Sequence, residues 1–322
     1  MTKREKDHVR RMFAYCAFEA VVAACVALFI VSLVYVNLIS PNNTVATVSS
    51  HGITGRINRQ DVNTITKYFT YVQQQQSQSG QTSTATQDPG AQAVQQLQQW
   101  KLTAIEAKRQ FGIAPSSADI DAEFAKNAKS AGSEASLVAS INAAGLSTGD
   151  YKNFFVSATV LENRVGVALT KNNPTTAEQW NYARIEVTSK ITATQILEQV
   201  GRNKNPAAEF KTLAKSKSTD TQTSAQGGDV GWERASDTAS DTLMSPALTQ
   251  TLNGMQKSRT IFKLYNSGSN WYVLEFLGHD LKHKLSSTQI QADQTTAVNN
   301  WGTPLLNKAL FNPPLPAQTG VQ

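Results

Sequence analysis

The stretch that decides the fold is FKTLAKSKSTDTQTSAQGGDVGW, residues Phe210–Trp232. It begins as the end of an amphipathic helix, continues through a polar segment and closes in the turn Gly227–Trp232. Two adjacent glycines allow a positive φ or the close approach of another backbone segment. Asp229 is suited to accept hydrogen bonds from backbone N–H groups of the turn, and Trp232 is suited to anchor it in a core. We therefore predict a tight turn at the end of a polar loop.

The order of residues around this turn resembles the signature loop of the parvulin-type peptidyl-prolyl isomerases, also called rotamases or PpiC-like proteins. A phenylalanine, Leu-Ala-Lys and Ser-Thr-Asp come first, and Gly-Gly-Asp-Val-Gly-Trp follows. Around the loop, the hydrophobic pattern predicts a strand at 182–188, several helices, and paired strands at 260–264 and 271–277. The resemblance implies a parvulin-like domain at residues 180–281 with the element order βα3βαβ2.

The N-terminal part of the chain carries a long apolar run behind a basic flank. Residues 1–11 hold five Lys and Arg against two acids, and Ala20–Ile39 contains no charged residue. Twenty helical residues span about 30 Å, which matches the hydrocarbon core of a bilayer. The basic flank predicts a single-pass protein of the cell membrane, with residues 1–19 cytoplasmic, residues 20–39 as the transmembrane anchor and the bulk extracytoplasmic. A cleaved signal peptide and lipidation at Cys25 are the alternatives.

Residues 42–175 have the apolar spacing of a helical region. Three of its pieces resemble, in sequence and in order, the SurA/PrsA chaperone domain: IEAKRQFGIAPSSADIDAEF (105–124), INAAGLSTGDYKNFF (141–155) and ENRVGVAL (162–169). The Gln/Ser/Thr-rich segment 73–90 has almost no apolar residues, so burial cannot offset the entropy of ordering it. We predict a flexible loop there.

The C-terminal part is predicted as a helix at residues 285–312, followed by a proline-rich tail at 313–322. Gly302 and Pro304 predict a kink or a break in this helix. In SurA/PrsA proteins a helix after the isomerase domain returns to complete the chaperone domain, and the resemblance implies the same here, with Trp301 docking. The implied fold class is α+β: a helical SurA/PrsA-like chaperone domain with an inserted parvulin-like domain, preceded by one transmembrane helix.

Composition argues against several function classes. The formal net charge is +6, but the basic residues form no stripe interleaved with aromatic residues, so nucleic-acid binding is not expected. The two cysteines, Cys16 and Cys25, lie in or beside the apolar run, which excludes a disulfide framework elsewhere. His279 and His283 have an i,i+4 spacing, but no nearby cysteine or further histidine completes a ligand set. We interpret them as solvated residues and expect no metal and no cofactor.

The parvulin resemblance also implies positions for the chemistry. The family scheme places two facing histidines on the first and last strands and a cysteine or aspartate in the loop before the glycines. Here the first-strand histidine position falls at Arg184 and the last-strand position at Tyr272. The loop position falls at Thr221, with Asp220 one residue before it. Both histidines and the loop group are thus replaced, although Arg184 and Tyr272 still carry hydrogen-bond donors.

The family's proline pocket is built from a methionine and a phenylalanine. Their positions fall at Met244 and Leu248, so we predict that an apolar substrate-binding pocket is kept. Proline isomerisation needs no nucleophile, only a pocket that twists the amide and donors aimed at its polar atoms. An i,i+4 apolar pair is also the pattern of an ordinary helix core.

These resemblances imply a membrane-anchored, extracytoplasmic protein-folding factor whose ligands are unfolded or nascent secreted polypeptides. Because both histidine positions are substituted, we expect weak or lost isomerase activity. A divergent but active isomerase and a non-catalytic holdase or envelope assembly scaffold are the alternatives.

Overall fold

The computed structural model describes residues 43–78, 88–235 and 245–315. The predicted cytoplasmic segment 1–19 and the predicted anchor 20–39 lie outside these described residues. Within the described ranges, no helix combines the length and the apolar character that crossing a membrane requires.

The chain divides into two compact units, Met1–Lys171 with Gln294–Gln322 and Asn172–Asp293. The first unit begins with two antiparallel strands and continues as a series of helices. In order, these elements are β1 (Thr44–Ser50), β2 (Ile53–Asn58), α1 (Arg59–Gln78), α2 (Pro89–Phe111), α3 (Ser117–Ser130), α4 (Glu134–Ala143) and α5 (Thr148–Tyr151), which runs through a π-helical turn (Lys152–Val156) into α6 (Ser157–Leu169).

The ends of these helices follow from capping residues in the sequence. Asp88 accepts a hydrogen bond from the Ala91 N–H at the start of α2, and Gly112 ends that helix with a φ of 68°. Ser116 and Asp119 form a capping box that opens α3.

The segment predicted as a flexible loop at 73–90 is partly helical. Helix α1 continues to Gln78, and α2 begins at Pro89. Glutamine is a good helix former, and Ser77 Oγ donates to the Gln73 carbonyl one turn back, so the helix extends beyond its last apolar residue. The prediction of a loop was wrong for these residues, and residues 79–87 lie outside the described part.

The second unit, Asn172–Asp293, is a four-stranded antiparallel sheet with helices on both faces. Its elements are β3 (Thr176–Val187), α7 (Lys190–Arg202), α8 (Pro206–Lys217), a 3₁₀ turn (Ser224–Gln226), β4 (Asp229–Glu233), α9 (Pro246–Ser258), β5 (Phe262–Ser267) and β6 (Asn270–Lys284). The strand order is β4-β3-β6-β5. The predicted mixture of helices and sheet is confirmed. Of the three helices predicted between the first two strands of this unit, the third is a single 3₁₀ turn.

The two central strands are longer than the sequence pattern predicts. β3 and β6 pair from Thr176 opposite Lys284 to Val187 opposite Trp271, whereas the pattern predicted strands only at 182–188 and 271–277. Most residues of the additional pairs are polar, and they lack strict alternation. Their pairing is supported by the buried side chain of Gln179, whose Nε2 donates to the His283 carbonyl at 3.2 Å.

Alternation along β3 divides its side chains between two cores. Ala183 and Ile185 belong to the core beneath α7 and α8. Trp180 and Tyr182 belong to the core beneath α9, on the opposite face of the sheet. Arg184 follows in the same alternation, so this charged residue lies on the α9 face.

The last helix, α10 (Ser287–Lys308), contributes its residues from Gln294 onward to the first unit, as does β7 (Leu310–Asn312). β7 pairs antiparallel with β1, which gives the sheet order β2-β1-β7. Trp301 donates from Nε1 to Gln110 Oε1 at 3.0 Å, and its ring centroid lies 5.9 Å from that of Phe111. The predicted break at Pro304 does not occur, because the helical assignment of α10 continues through this proline to Lys308.

Candidate active site

The glycine turn lies directly against β3. Gly227 and Gly228 have φ values of 77° and 85°, in the left-handed region that favours glycine. A Cβ added to Gly228 would lie 2.5 Å from the carbonyl oxygen of Arg184, and the Arg184 N–H donates to the Gly228 carbonyl at 2.8 Å. Within the turn, Asp229 Oδ1 accepts from the Gly231 N–H at 3.0 Å. The predicted tight turn is confirmed, and it fixes the backbone at Arg184.

Arg184 forms a buried ion pair with Asp220. Its Nε donates to Asp220 Oδ2 at 2.8 Å, and each side chain is only 4% exposed. Asp220 also accepts from Thr223 Oγ1 at 2.5 Å and from the Gln222 N–H at 2.9 Å. Burial alone would raise the pKa of the Asp220 carboxyl, but the hydrogen bonds from Arg184, Thr223 and Gln222 outweigh it and lower the pKa below its ordinary value. The pair is therefore charged at neutral pH.

Tyr272 lies on the same face of the sheet as Arg184, on the neighbouring strand. Arg184 is opposite Leu274 in the β3–β6 register, and Tyr272 is opposite Glu186, so Arg184 and Tyr272 are diagonal neighbours. Tyr272 is 4% exposed and packs in the core beneath α9. Its ring centroid lies 6.0 Å from that of Tyr265. The fold thus brings together the residues at the two predicted histidine positions, but it buries both.

The remaining predicted residues occupy different environments. Leu248 is 1% exposed and packs with Leu252 and Met255 against the sheet. Thr221 is exposed on the surface, one residue after the buried Asp220. Met244 lies outside the described residues.

Two polar residues at this site were missed in the sequence reasoning. Thr223 binds Asp220, and Ser245 Oγ lies 3.0 Å from the hydroxyl of Tyr265. The spacing Asp220-x-x-Thr223 is a signal that a side-chain-capped turn follows the acid. Nothing in the sequence of Ser245 indicates its contact with Tyr265, which depends on the packing of α9.

The two histidines of β6 are held by aromatic rings and acids. His279 stacks on Trp180 at 5.1 Å and lies 2.8 Å from Glu178, while His283 stacks on Trp232 at 3.9 Å. Across the described ranges, no group of three or more His, Cys, Asp or Glu side chains is arranged to hold a metal ion.

A comparison with known families finds a match within the second unit. Residues 176–277 match the rotamase family described as the PPIC-type PPIASE domain. No curated protein sequence matches the chain.

Several solved structures are similar at low identity. A peptidylprolyl isomerase, PrsA, from Bacillus anthracis is 18% identical, with a TM-score of 0.35 over 66% of this chain and 93% of that chain. The foldase protein PrsA from Streptococcus pneumoniae is 14% identical, with a TM-score of 0.38 over 80% of this chain and 88% of that chain. A SurA-like chaperone from Campylobacter jejuni is 15% identical, with a TM-score of 0.27 over 82% and 94%.

These solved structures have TM-scores below 0.5, so the family assignment of residues 176–277 depends on the family match alone. Residues 176–277 of this chain are therefore a rotamase domain of the parvulin-like PPIC type.

Proposed function

We propose that this chain is a protein-folding factor that binds unfolded polypeptides and whose rotamase domain has weak or lost isomerase activity. The observation that carries the proposal is the ion pair between Arg184 and Asp220, at the first-strand histidine position of the family scheme. Both side chains are 4% exposed, and the Nε of Arg184 is committed to the carboxylate at 2.8 Å.

Burial of the Arg184 side chain takes away a hydrogen-bond donor that isomerisation needs at the substrate. The uncatalysed rotation about a peptide bond has a barrier of about 18–20 kcal/mol. Lowering it requires donors that can reach the carbonyl oxygen or the imide nitrogen of a bound proline. Arg184 and Tyr272 are both covered, so a substrate reaches neither without local opening of the core beneath α9. Thr221 is exposed, but a hydroxyl alone replaces neither the acid nor the imidazole pair of the scheme.

The predicted proline pocket involves Met244 and Leu248. Leu248 is a core residue beneath α9, so a proline ring would bind beside it only if α9 moves away from the sheet. We propose that polypeptide binds at the Met244 and Leu248 positions only when α9 moves away, and that this binding does not catalyse isomerisation.

For the location of the protein, we propose that residues 20–39 anchor it in the cell membrane, with residues 1–19 cytoplasmic. The clients would then be unfolded or nascent secreted polypeptides. Protease added outside intact cells should digest the rotamase domain and leave the N-terminal segment protected. Protection of the rotamase domain in intact cells, combined with digestion after lysis, would contradict this topology. Mass spectrometry of the N-terminal peptide would detect cleavage or lipidation at Cys25.

The activity is tested with the full-length chain in a prolyl-peptide isomerisation assay, with an intact parvulin as the positive control. We expect a rate close to that of buffer. Suppression of aggregation of a chemically unfolded protein, measured in parallel, should be clear. A rate comparable to that of the intact parvulin would overturn the loss of activity, and absence of suppression would overturn the binding of unfolded polypeptide.

A further inference from the structure

The first unit contains a cavity of about 230 Å³ lined by residues of α2, α6 and α10. On α2 its lining residues Gln96, Gln99, Trp100 and Thr103 recur with helical spacing, so one face of that helix forms a wall. This volume is below the range of typical drug-sized pockets. It is suited to one long side chain and not to a whole small molecule.

Glu162 is the one charged residue that lines this cavity. Two other carboxylates of the unit are paired with arginine: Asp119 with Arg164 at 2.6 Å, and Glu106 with Arg109 at 2.6 Å. In the described part of the chain, no hydrogen bond or ion pair reaches the carboxyl of Glu162. Its side chain is exposed, yet the surrounding protein removes enough water to raise its pKa. A negative group at the mouth of a cavity, partly desolvated and without a cation, favours a positively charged ligand.

Two indole rings line the same cavity, and both are held in place from outside it. Trp100 packs edge-on against Phe155 with ring centroids 5.3 Å apart. Trp301 is held by its hydrogen bond to Gln110 and by its contact with Phe111. Tryptophan is the aromatic residue that attracts cations most strongly, and a ring fixed beforehand loses little entropy when a ligand binds.

We propose that this cavity binds an arginine or lysine side chain of a non-native polypeptide, with Glu162 as the counter-charge and Trp100 and Trp301 as aromatic walls. The inference deepens the proposed function, because it names the side-chain class that the folding factor recognises. It rests on that function in one respect, namely that the chain binds unfolded polypeptide.

The test uses two fluorescently labelled, unstructured peptides that differ at one position. One carries arginine among serine and apolar residues, and the other carries citrulline, which has nearly the same shape without the charge. The full-length chain should bind the arginine peptide about fivefold more tightly, a factor in the range of one cation–π contact with a partly screened ion pair. Glu162→Gln should reduce that preference to the part that comes from the cation–π contact, about twofold. Glu134→Gln, which removes the same charge from the first turn of α4 and does not line the cavity, should preserve it.

A second variant keeps the test independent of charge. A Cβ added at Gly302 meets no atom within 4 Å, so Gly302→Leu places a side chain at the cavity without a clash of its first carbon. It should abolish the preference for arginine, while Gly302→Ala should retain most of it. Equal binding of the two peptides by the unmodified chain would overturn the inference and leave the proposed function intact. Binding of neither peptide would overturn both.

Discussion

The ion pair of the rotamase domain gives the sharpest prediction about what its polar core does. Arg184 and Asp220 are 2.8 Å apart, and each side chain is 4% exposed. Replacing Asp220 with alanine leaves a buried guanidinium without its counter-charge, which costs about 3–5 kcal/mol in comparable pairs. For a domain of this size, such a loss lowers the melting temperature by roughly 10 °C or more.

The double variant Arg184→Met with Asp220→Leu separates burial of charge from loss of packing. Removing both charges also removes their desolvation, so we expect stability within about 1–2 kcal/mol of the original chain. Thr221→Ala, at the neighbouring exposed position, should change stability by less than about 0.5 kcal/mol. Hydrogen exchange of the β3 and β6 amides measures the stability of the second unit separately from that of the first unit.

The sign of the pH dependence follows from the lowered pKa of Asp220. Because the folded-state pKa lies below the unfolded value, the stabilisation is present above the ordinary carboxyl pKa and is lost as the pH falls through the folded value. The Asp220→Ala variant should lose this part of the acid sensitivity. An Asp220→Ala chain that is as stable as the original would refute the view that the pair is a structural part of the core.

Three further predictions concern other parts of the chain. Gly228→Ala should destabilise the rotamase unit by at least about 1 kcal/mol more than Gly231→Ala, because both have a positive φ but only Gly228 lies against a backbone oxygen; urea unfolding compares them. Leu248→Ala should cost about 2–5 kcal/mol, as expected for a buried leucine, and a loss below 1 kcal/mol in calorimetry would mean that α9 does not pack as described. Hydrogen bonds from Arg109, Ser50, Gln110 and His51 together overcome the effect of burial and lower the pKa of Glu106 to about 2. About 3 kcal/mol of stability of the first unit should therefore vanish as the pH falls from 4.5 to 2. Glu106→Gln should flatten that acid-induced loss, and an unchanged pH profile would show that the carboxylate does not titrate as inferred.

The rotamase fold was accessible from the sequence because its signals are local. Paired glycines, an aspartate and a tryptophan define the turn, and strand alternation locates β3 and β6. The excess length of β3 and β6 was not accessible, because Gln179 and its neighbours show no apolar period and are ordered by cross-strand and side-chain hydrogen bonds. The helical part of 73–90 was missed for a related reason: helix propensity extends α1 where burial does not.

The position of the candidate site was predictable from the sequence, but the burial of its side chains was not. The sequence located Arg184 and Tyr272 on the two central strands, and the register makes them diagonal neighbours on one face. Their burial depends on how α9 and the polar loop cover the sheet, which is a property of tertiary packing. Asp220 was noted as the neighbour of the loop position, but only the folded chain shows that it is the residue that pairs with Arg184.

One refolding experiment tests the central claim most directly. A client protein whose slow refolding phase is limited by proline isomerisation is diluted from denaturant with and without the full-length chain, and both the yield and the rate of that phase are recorded. We predict a higher yield of refolded client with an unchanged slow-phase rate. An accelerated slow phase, comparable to that produced by an intact parvulin, would contradict the proposal that burial of Arg184 and Tyr272 suppresses the isomerase.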